Sequence, residues 1–366
     1  MTNAFAPIGV GLIGASPLNP GWAMAAHVPA IATLPDTTLA GVATSSPASA
    51  AAAAAALGVP AYSDPDLLIR DPAVDLVVIA VKVEHHHRLA AAAIDAGKPV
   101  FVEWPLGRTL EEAEDLAARA TRAGVRSFIG LQGRFAPAVE RVRELVSGGA
   151  LGQVLSTCLS GSGMIWGDKI PQTFAYTTVK EAGAGLLAVP LIHALDALAF
   201  ALGEVKHLSA STAVQRPNVA VLETGEVLAA TAPDHVAVSG TLTGGALLTA
   251  LYRGGPVHDA NLRWEVNGTL GDLIVTAENG NLQVADLELH GAWGEAEEYA
   301  PIPLTTPESR AGSGVGANVL RTYRAIVHDL RTGDSTAPDF THAVLRHRLL
   351  AAVERAAATG RSEDLS

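Results

Sequence analysis

Residues 8–22, IGVGLIGASPLNPGW, decide how the rest of this chain is read. The apolar run from Ile8 to Ile13 is too short for a helix and ends at once in Gly14, so it reads as a buried strand. A loop of small and turn-forming residues, Ser16 among them, then leads through Gly21 and Trp22 to Ala23-Met24-Ala25-Ala26, which favours helix. Strand, glycine turn and helix in succession place backbone N–H groups and a helix N-terminus against a pyrophosphate. Gly9, Gly11 and Gly14 also spell G-x-G-x-x-G, but the first two fall inside the strand, so the phosphate-facing register starts at Gly14. On the motif alone, an ordinary strand-to-helix turn is an equal reading.

Working outward, Thr38 to Thr44 reads as a second strand ending in Ser45 and Ser46. An acid there would bond the 2′-hydroxyl of NAD. None is present, and the small hydroxyls leave room for a 2′-phosphate, so the cofactor expected is NADP or NAD with a slight lean to NADP. The alanine tract Ala50 to Ala56 reads as a helix stopped by Gly58. A buried strand, Asp75 to Ala80, follows, and then Lys82 and the run His85-His86-His87. Adjacent side chains diverge on helix or strand, so the three imidazoles do not form a metal site, and no metal is expected. Further on come a strand at Pro99 to Glu103, Trp104 and Pro105, a helix at Leu110 to Ala123, a strand at Arg126 to Leu131, and Gln132 and Arg134. Alternating strands and helices make a doubly wound parallel sheet.

The second half changes character. After a strand at Leu151 to Gly163 and a helix from near Gly183 to Leu202, broken or kinked at Pro190, strands dominate. They are expected at Leu208 to Val214, Asp234 to Thr243, Ala246 to Arg253, Leu262 to Asn267, Asp272 to Thr276 and Leu282 to His290. This predicts an α+β domain on a large open, mostly antiparallel sheet. Helices at Val319 to Leu330 and His342 to Ala358 close the chain and are expected to pack back on the first domain. The division expected is a Rossmann domain over 1–135 and an α+β domain over 136–366.

Composition narrows the function. At 366 residues with 49% hydrophobic and 17% charged side chains, the chain is expected to hold two globular cores. A net charge of −12 disfavours direct nucleic-acid and anionic-membrane binding, and no uninterrupted apolar run is long enough to span a bilayer. The single cysteine, Cys158, excludes an internal disulfide and fits a reducing cytoplasm.

Taken together, the Gly14 turn, His27-Val-Pro-Ala30, Ile79-Ala80 with His86, Ala96-Gly-Lys-Pro99, Glu103-x-Pro105, Gly183-x-Gly185, His193-x-x-Asp196 and Gly268-Thr-Leu-Gly-Asp272 resemble the Gfo/Idh/MocA family, the glucose–fructose oxidoreductases and inositol dehydrogenases. Gly21-Trp-Ala23, Phe101-Val-Glu-Trp104 and Leu131-Gln-Gly-Arg134 are similar to the branch holding a fungal galactose-regulon co-repressor. The resemblance implies an NAD(P)-binding oxidoreductase acting on a sugar, polyol or related hydroxyl compound. His193 would be the acid/base, Asp196 would orient it, and Arg134 and Tyr176 would position substrate. Cofactor contacts would come from Gly14, Ser16, Gly21, Trp22, Ser45, Ser46, Ala80, Lys82, His86, Glu103, Trp104, Pro105 and Gln132. The family also implies a homodimer or homotetramer built through the second domain's sheet.

Two departures from the family pattern support another reading. Trp104 stands where catalytic members carry the lysine of Glu-Lys-Pro, and Val189 stands where many carry an acid. Tryptophan carries no charge and offers no acidic proton, so that lysine's contribution is missing. Lys82, Lys169 or Lys180 would have to compensate. The alternative is therefore a non-catalytic NAD(P)-binding sensor or transcriptional co-regulator.

Overall fold

A computed structural model of the chain describes residues 6–304 and 314–365. They form two compact units. The first runs to Leu131 and is completed by Val315–Leu345; the second runs from Gln132 to Gly314 and resumes at Arg346. The division expected at 135/136 thus falls four residues early, and the first unit takes in a distant segment. The reason is packing: Val319, Leu320, Tyr323 and Ile326 join Val10, Leu12, Phe101 and Phe128 in one hydrophobic core.

The first unit is a six-stranded sheet of β1 (Ile8–Ile13), β2 (Thr37–Ala43), β3 (Ala61–Tyr62), β4 (Leu76–Ile79), β5 (Val100–Glu103) and β6 (Ser127–Gly130). Its order is β3-β2-β1-β4-β5-β6, and every pairing is parallel. This is the doubly wound arrangement with its switch point between β1 and β4. Helices α1 (Val28–Thr33), α2 (Pro47–Leu57), α3 (Pro65–Arg70), α4 (His86–Asp95) and α5 (Leu110–Ala123) make the crossovers. Strands covered on both faces must be apolar throughout, and Leu76 to Ile79 are fully buried. The alanine-rich α2 depends on its ends. Ser46 and Ser49 form a capping box, and Gly58 closes the helix at φ +69°. Gly9 lies inside β1, as its register requires, and serves packing: a Cβ there would sit 2.0 Å from the Ala73 carbonyl oxygen.

The second unit opens with α6 (Pro137–Ser147) and contains α7 (Ile192–Leu202). Its strands in chain order are β7 (Val154–Gly163), β8 (Lys169–Ile170), β9 (Val205–Ala213), β10 (Asn218–Val221), β11 (Val227–Ala229) and β12 (His235–Leu242). They continue as β13 (Leu247–Gly254), β14 (Leu262–Gly268), β15 (Gly271–Ala277), β16 (Glu288–Trp293), β17 (Ala300–Pro301) and β18 (Glu363–Asp364). Nine of them form one sheet, β17-β16-β15-β14-β7-β13-β12-β9-β18, in which only the β7–β13 pairing is parallel. Period-two alternation sends Leu248, Ala250 and Tyr252 inward, while Leu247 and Leu251 stay exposed on the other face. Helices α8 (Ala317–Thr332) and α9 (Phe340–Thr359) follow; α8 belongs to the first unit, and α9 passes from the first into the second after Leu345.

Two expectations shift. The strand expected from Leu282 to His290 begins only at Glu288. A 3₁₀ turn at Leu282–Val284 precedes it and buries Leu282 and Gln283 together, where a strand would send one outward. The small sheet β11-β10-β8 had no sequence signal, because strands of two to four residues show no period. The disturbance expected at Pro190 is present as a π turn, Leu187–Leu191, in which the Leu191 N–H reaches back five residues to the Leu186 carbonyl.

Candidate functional site

In the first unit the candidate residues gather at the carboxyl ends of the parallel strands, where this class of sheet binds ligands. Gly14 follows β1 at φ +116°, with its N–H on the Ala43 carbonyl. Any Cβ at that position would lie 2.4 Å from the Ala80 carbonyl oxygen, so the glycine is required both for conformation and for space. The Ser16 N–H returns to the Gly14 carbonyl and tightens the turn. Gly21 has open space around it and accepts from the N–H groups of Met24 and Ala25, starting a π turn, Ala23–His27, that runs into α1. The Trp22 indole N–H is buried with no hydrogen-bond partner among the described residues. A bare glycine cradle with an unused donor beside it fits a dinucleotide phosphate.

At the end of β2 the structure alters the expected use of the serines. The Ser46 hydroxyl accepts from the Ser49 N–H, 3.2 Å away, and the Ser49 hydroxyl donates to Thr44 Oγ1 at 2.8 Å. Ser46 is therefore spent on capping α2, and exposed Ser45 is the remaining hydroxyl of the pair.

Beyond β4, Ala80 donates to Ile13 and is partly buried, and Lys82 is exposed ahead of the turn Val83–His85. The three histidines diverge as expected: His85 is exposed beside Glu84, His87 pairs with Asp115 at 2.8 Å, and His86 turns inward. His86 Nδ1 lies 2.8 Å from the Pro105 carbonyl and Nε2 lies 2.9 Å from that of Val81, so this ring ties together the loops after β4 and β5. Burial pushes its pKa down, against the pull of the two carbonyls and of Glu103. Among the described residues, no group of three or more His, Cys, Asp or Glu side chains is placed to hold a metal.

Glu103 ends β5, and Trp104 and Pro105 follow it; all three are buried, with a cis peptide between the last two. Trp104 is 5% exposed and Glu103 8%. His27 Nε2 lies 3.0 Å from Glu103 Oε1, and His27 Nδ1 lies 2.9 Å from the Tyr323 hydroxyl. His27 appeared in the sequence only as part of a motif, and Tyr323 gave no signal, being about three hundred residues away from it in the chain.

In the second unit the centre is Asp196 on α7. Arg134, in the 3₁₀ turn Gln132–Phe135, grips its carboxylate with Nη2 at 2.7 Å and Nε at 3.1 Å. Arg346 of α9 adds Nε at 3.0 Å and extends its other end to Glu204. Burial opposes the charge on Arg346, but Asp196 and Glu204 together raise its pKa. The Phe200 ring takes Arg134 at 5.0 Å and Arg143 at 4.2 Å. Arg134 is 7% exposed and clamps Asp196, and both Asp196 oxygens are engaged by arginines. A carboxylate taken out of water needs charged donors, and two guanidiniums meet that need. Arg346 and Glu204 were missed because nothing local in their segments points to Asp196.

His193 is 3% exposed, in the first turn of α7 just beyond the π turn. Val189 is partly exposed on that π turn. Tyr176 is partly buried in the 3₁₀ helix Gln172–Thr178, and Lys169 and Lys180 are exposed. Gln132 is 2% exposed, with its side-chain oxygen lacking a hydrogen-bond partner among the described residues.

Comparison with known proteins gives a consistent result. Residues 8–131 match the model described as oxidoreductase family, NAD-binding Rossmann fold, and residues 137–277 match the Gal80p C-terminal domain. The chain is 35% identical to dehydrogenase aclE of Aspergillus oryzae over 63% of its own length and 66% of that protein's. It is 26% identical to the galactose/lactose metabolism regulatory protein GAL80 of Saccharomyces cerevisiae, covering 92% and 83% of the two chains. A crystal structure of a super-repressor mutant of that regulator superposes with a TM-score of 0.89 over 99% of both chains, at 24% identity. Levoglucosan dehydrogenase in complex with NADH and L-sorbose superposes at 0.86 over 99% of this chain and 100% of that one, at 23% identity. At these identities the superpositions establish the fold.

Proposed function

The chain belongs to the Gfo/Idh/MocA family, near the Gal80 branch, and from that premise we propose that it is an NAD(P)-dependent oxidoreductase acting on a hydroxyl group of a sugar, polyol or related compound. The Gly14 turn with Ser16, Gly21 and Trp22 would receive the pyrophosphate. Ser45 would meet the adenosine ribose. It serves either a 2′-hydroxyl or a 2′-phosphate, and the slight lean to NADP rests on the absence of an acid there. Ala80, Lys82, His86, Glu103, Trp104, Pro105 and Gln132 would complete the cofactor contacts. The nicotinamide supplies hydride acceptance when bound. As the hydroxyl-bearing carbon gives up its hydride, His193 takes the hydroxyl proton, a transfer suited to an imidazole because its ordinary pKa lies near neutrality. Tyr176 positions substrate. Asp196, Arg134 and Arg346 act at one remove, fixing α7 and with it the His193 ring.

The observation that carries this reading is His193 itself, an imidazole kept at the head of α7 directly after a π turn. The second reading, a cofactor-binding sensor without turnover, is favoured by Trp104. Its side chain is buried where a lysine would assist proton removal, and the second unit matches the regulator's C-terminal domain. One experiment separates the two. Excess protein is mixed with NAD or NADP and a panel of sugars and polyols, and absorbance of reduced nicotinamide is followed through a single turnover while cofactor binding is measured in parallel. A stoichiometric burst supports the enzyme; binding without a burst across the panel supports the sensor. Binding of neither cofactor overturns both. We also propose that copies of the chain pair through the face of the large sheet that exposes Leu247 and Leu251.

A further inference from the structure

Tyr323, His27 and Glu103 form a buried chain of hydrogen bonds inside the first unit, and its direction can be worked out. Tyr323 and His27 are fully buried, whereas the Glu103 side chain is 11% exposed and is the member a ligand can reach. The Tyr323 hydroxyl makes no other hydrogen bond among the described residues. Burial, helped by the charge on Glu103, pushes its pKa well above the ordinary value, so it keeps its proton and donates to His27 Nδ1. The ring's own proton is then on Nε2, and it donates to Glu103 Oε1 at 3.0 Å. Every proton in the chain points outward, and the chain ends on a carboxylate that can only accept. The ring cannot turn away, being packed against Phe101 at 5.6 Å and edge-on to Tyr323 at 5.8 Å. The carboxylate has a fixed bed as well: Glu103 pairs with Gly130 across β5 and β6, and a Cβ on Gly130 would lie 2.8 Å from the carboxyl atoms.

We propose that Tyr323 and His27 are positioning residues that present the second oxygen of Glu103, at the carboxyl end of β5, as the acceptor for a ribose hydroxyl of the bound dinucleotide. This rests on the cofactor reading above. A carboxyl oxygen at that end of a parallel strand accepts from hydroxyl donors, and sugar hydroxyls are the donors a dinucleotide offers. The His86 contact to the Pro105 carbonyl pins the other end of the same segment, so Glu103–Pro105 is fastened at both ends.

The test uses the full chain and NADH and NADPH as probes, with binding read by fluorescence and folding checked by thermal melting. Tyr323→Phe and His27→Leu each remove a donor from the chain and are expected to weaken cofactor binding by roughly tenfold or more. His27→Gln keeps an amide N–H for Glu103 and is expected to stay within a few-fold of the parent. ¹⁵N-histidine NMR of the cofactor-free protein is expected to show His27 protonated on Nε2, with that preference lost in Tyr323→Phe. Parent-like binding in Tyr323→Phe overturns the proposal, and so does a His27→Gln protein as weak as His27→Leu, which marks a packing role only. A His27 ring protonated on Nδ1 in the parent also overturns it. Should His27→Leu not fold, Tyr323→Phe with the NMR measurement decides. If the unmutated chain binds neither cofactor, the cofactor reading itself fails, a result distinct from normal parent binding with unchanged variants.

Discussion

Asp196→Asn is expected to damage stability before it damages chemistry. The Asp196 carboxylate is 1% exposed and accepts two bonds from Arg134, at 2.7 and 3.1 Å, and one from Arg346, at 3.0 Å. Asparagine keeps the shape but removes the charge, so two guanidiniums, with side chains 9% and 1% exposed, lose the anion they share. Breaking a buried ion pair from one side costs about 3–5 kcal/mol. In a second unit of about 200 residues this corresponds to a fall in its melting temperature of about 10 °C. Arg346→Met is the control. It leaves the Arg134 grip intact and releases Glu204, whose side chain is 48% exposed, to water. Its cost should be nearer 1–2 kcal/mol. Differential scanning calorimetry without cofactor, analysed as two transitions because the chain has two units, gives both numbers. The reasoning is refuted if Arg346→Met is as damaging as Asp196→Asn, or if Asp196→Asn melts like the parent and loses only turnover. The latter result would support Asp196 in the role of orienting His193.

Other outcomes follow from the same geometry. His193→Ala should abolish turnover while leaving cofactor affinity within about twofold, measured by fluorescence titration; unchanged turnover removes the acid/base assignment. Gly14→Ala places a methyl where φ is +116° and the Ala80 oxygen is 2.4 Å from the new carbon, so cofactor binding should fall at least tenfold and the melting temperature with it. His86 has its pKa lowered from 6.5 in the folded chain, so the unfolded chain takes up the proton first as pH falls. Its contribution to stability is complete above 6.5 and declines below it; urea titrations of His86→Gln should lack that part of the slope, and an unchanged slope assigns the dependence to other groups. Leu251→Glu should convert the proposed oligomer to a monomer in light scattering, since it sets a charge on the exposed face of β13.

Much of this protein is written locally in its sequence. The alternation of short apolar runs with helix-forming stretches determines the parallel sheet, because a strand buried on both faces must be apolar throughout, as Leu76 to Ile79 are. Gly14 was identifiable because a tight strand-to-helix turn demands glycine. The helix expected at Leu110 to Ala123 is present with those bounds, and Gly124, at φ +63°, supplies its stop. Even the disturbance at Pro190 follows from a missing N–H. What the tertiary structure alone decided are partnerships between segments far apart in the chain: Tyr323 with His27, Arg346 with Asp196, and α8 with the core of the first unit. It also decided which neighbours side chains meet, since Ser46 caps α2 and Arg134 grips Asp196. A sequence shows which groups can donate or accept. Only the fold shows which partner, brought close and shielded from water, claims each of them first.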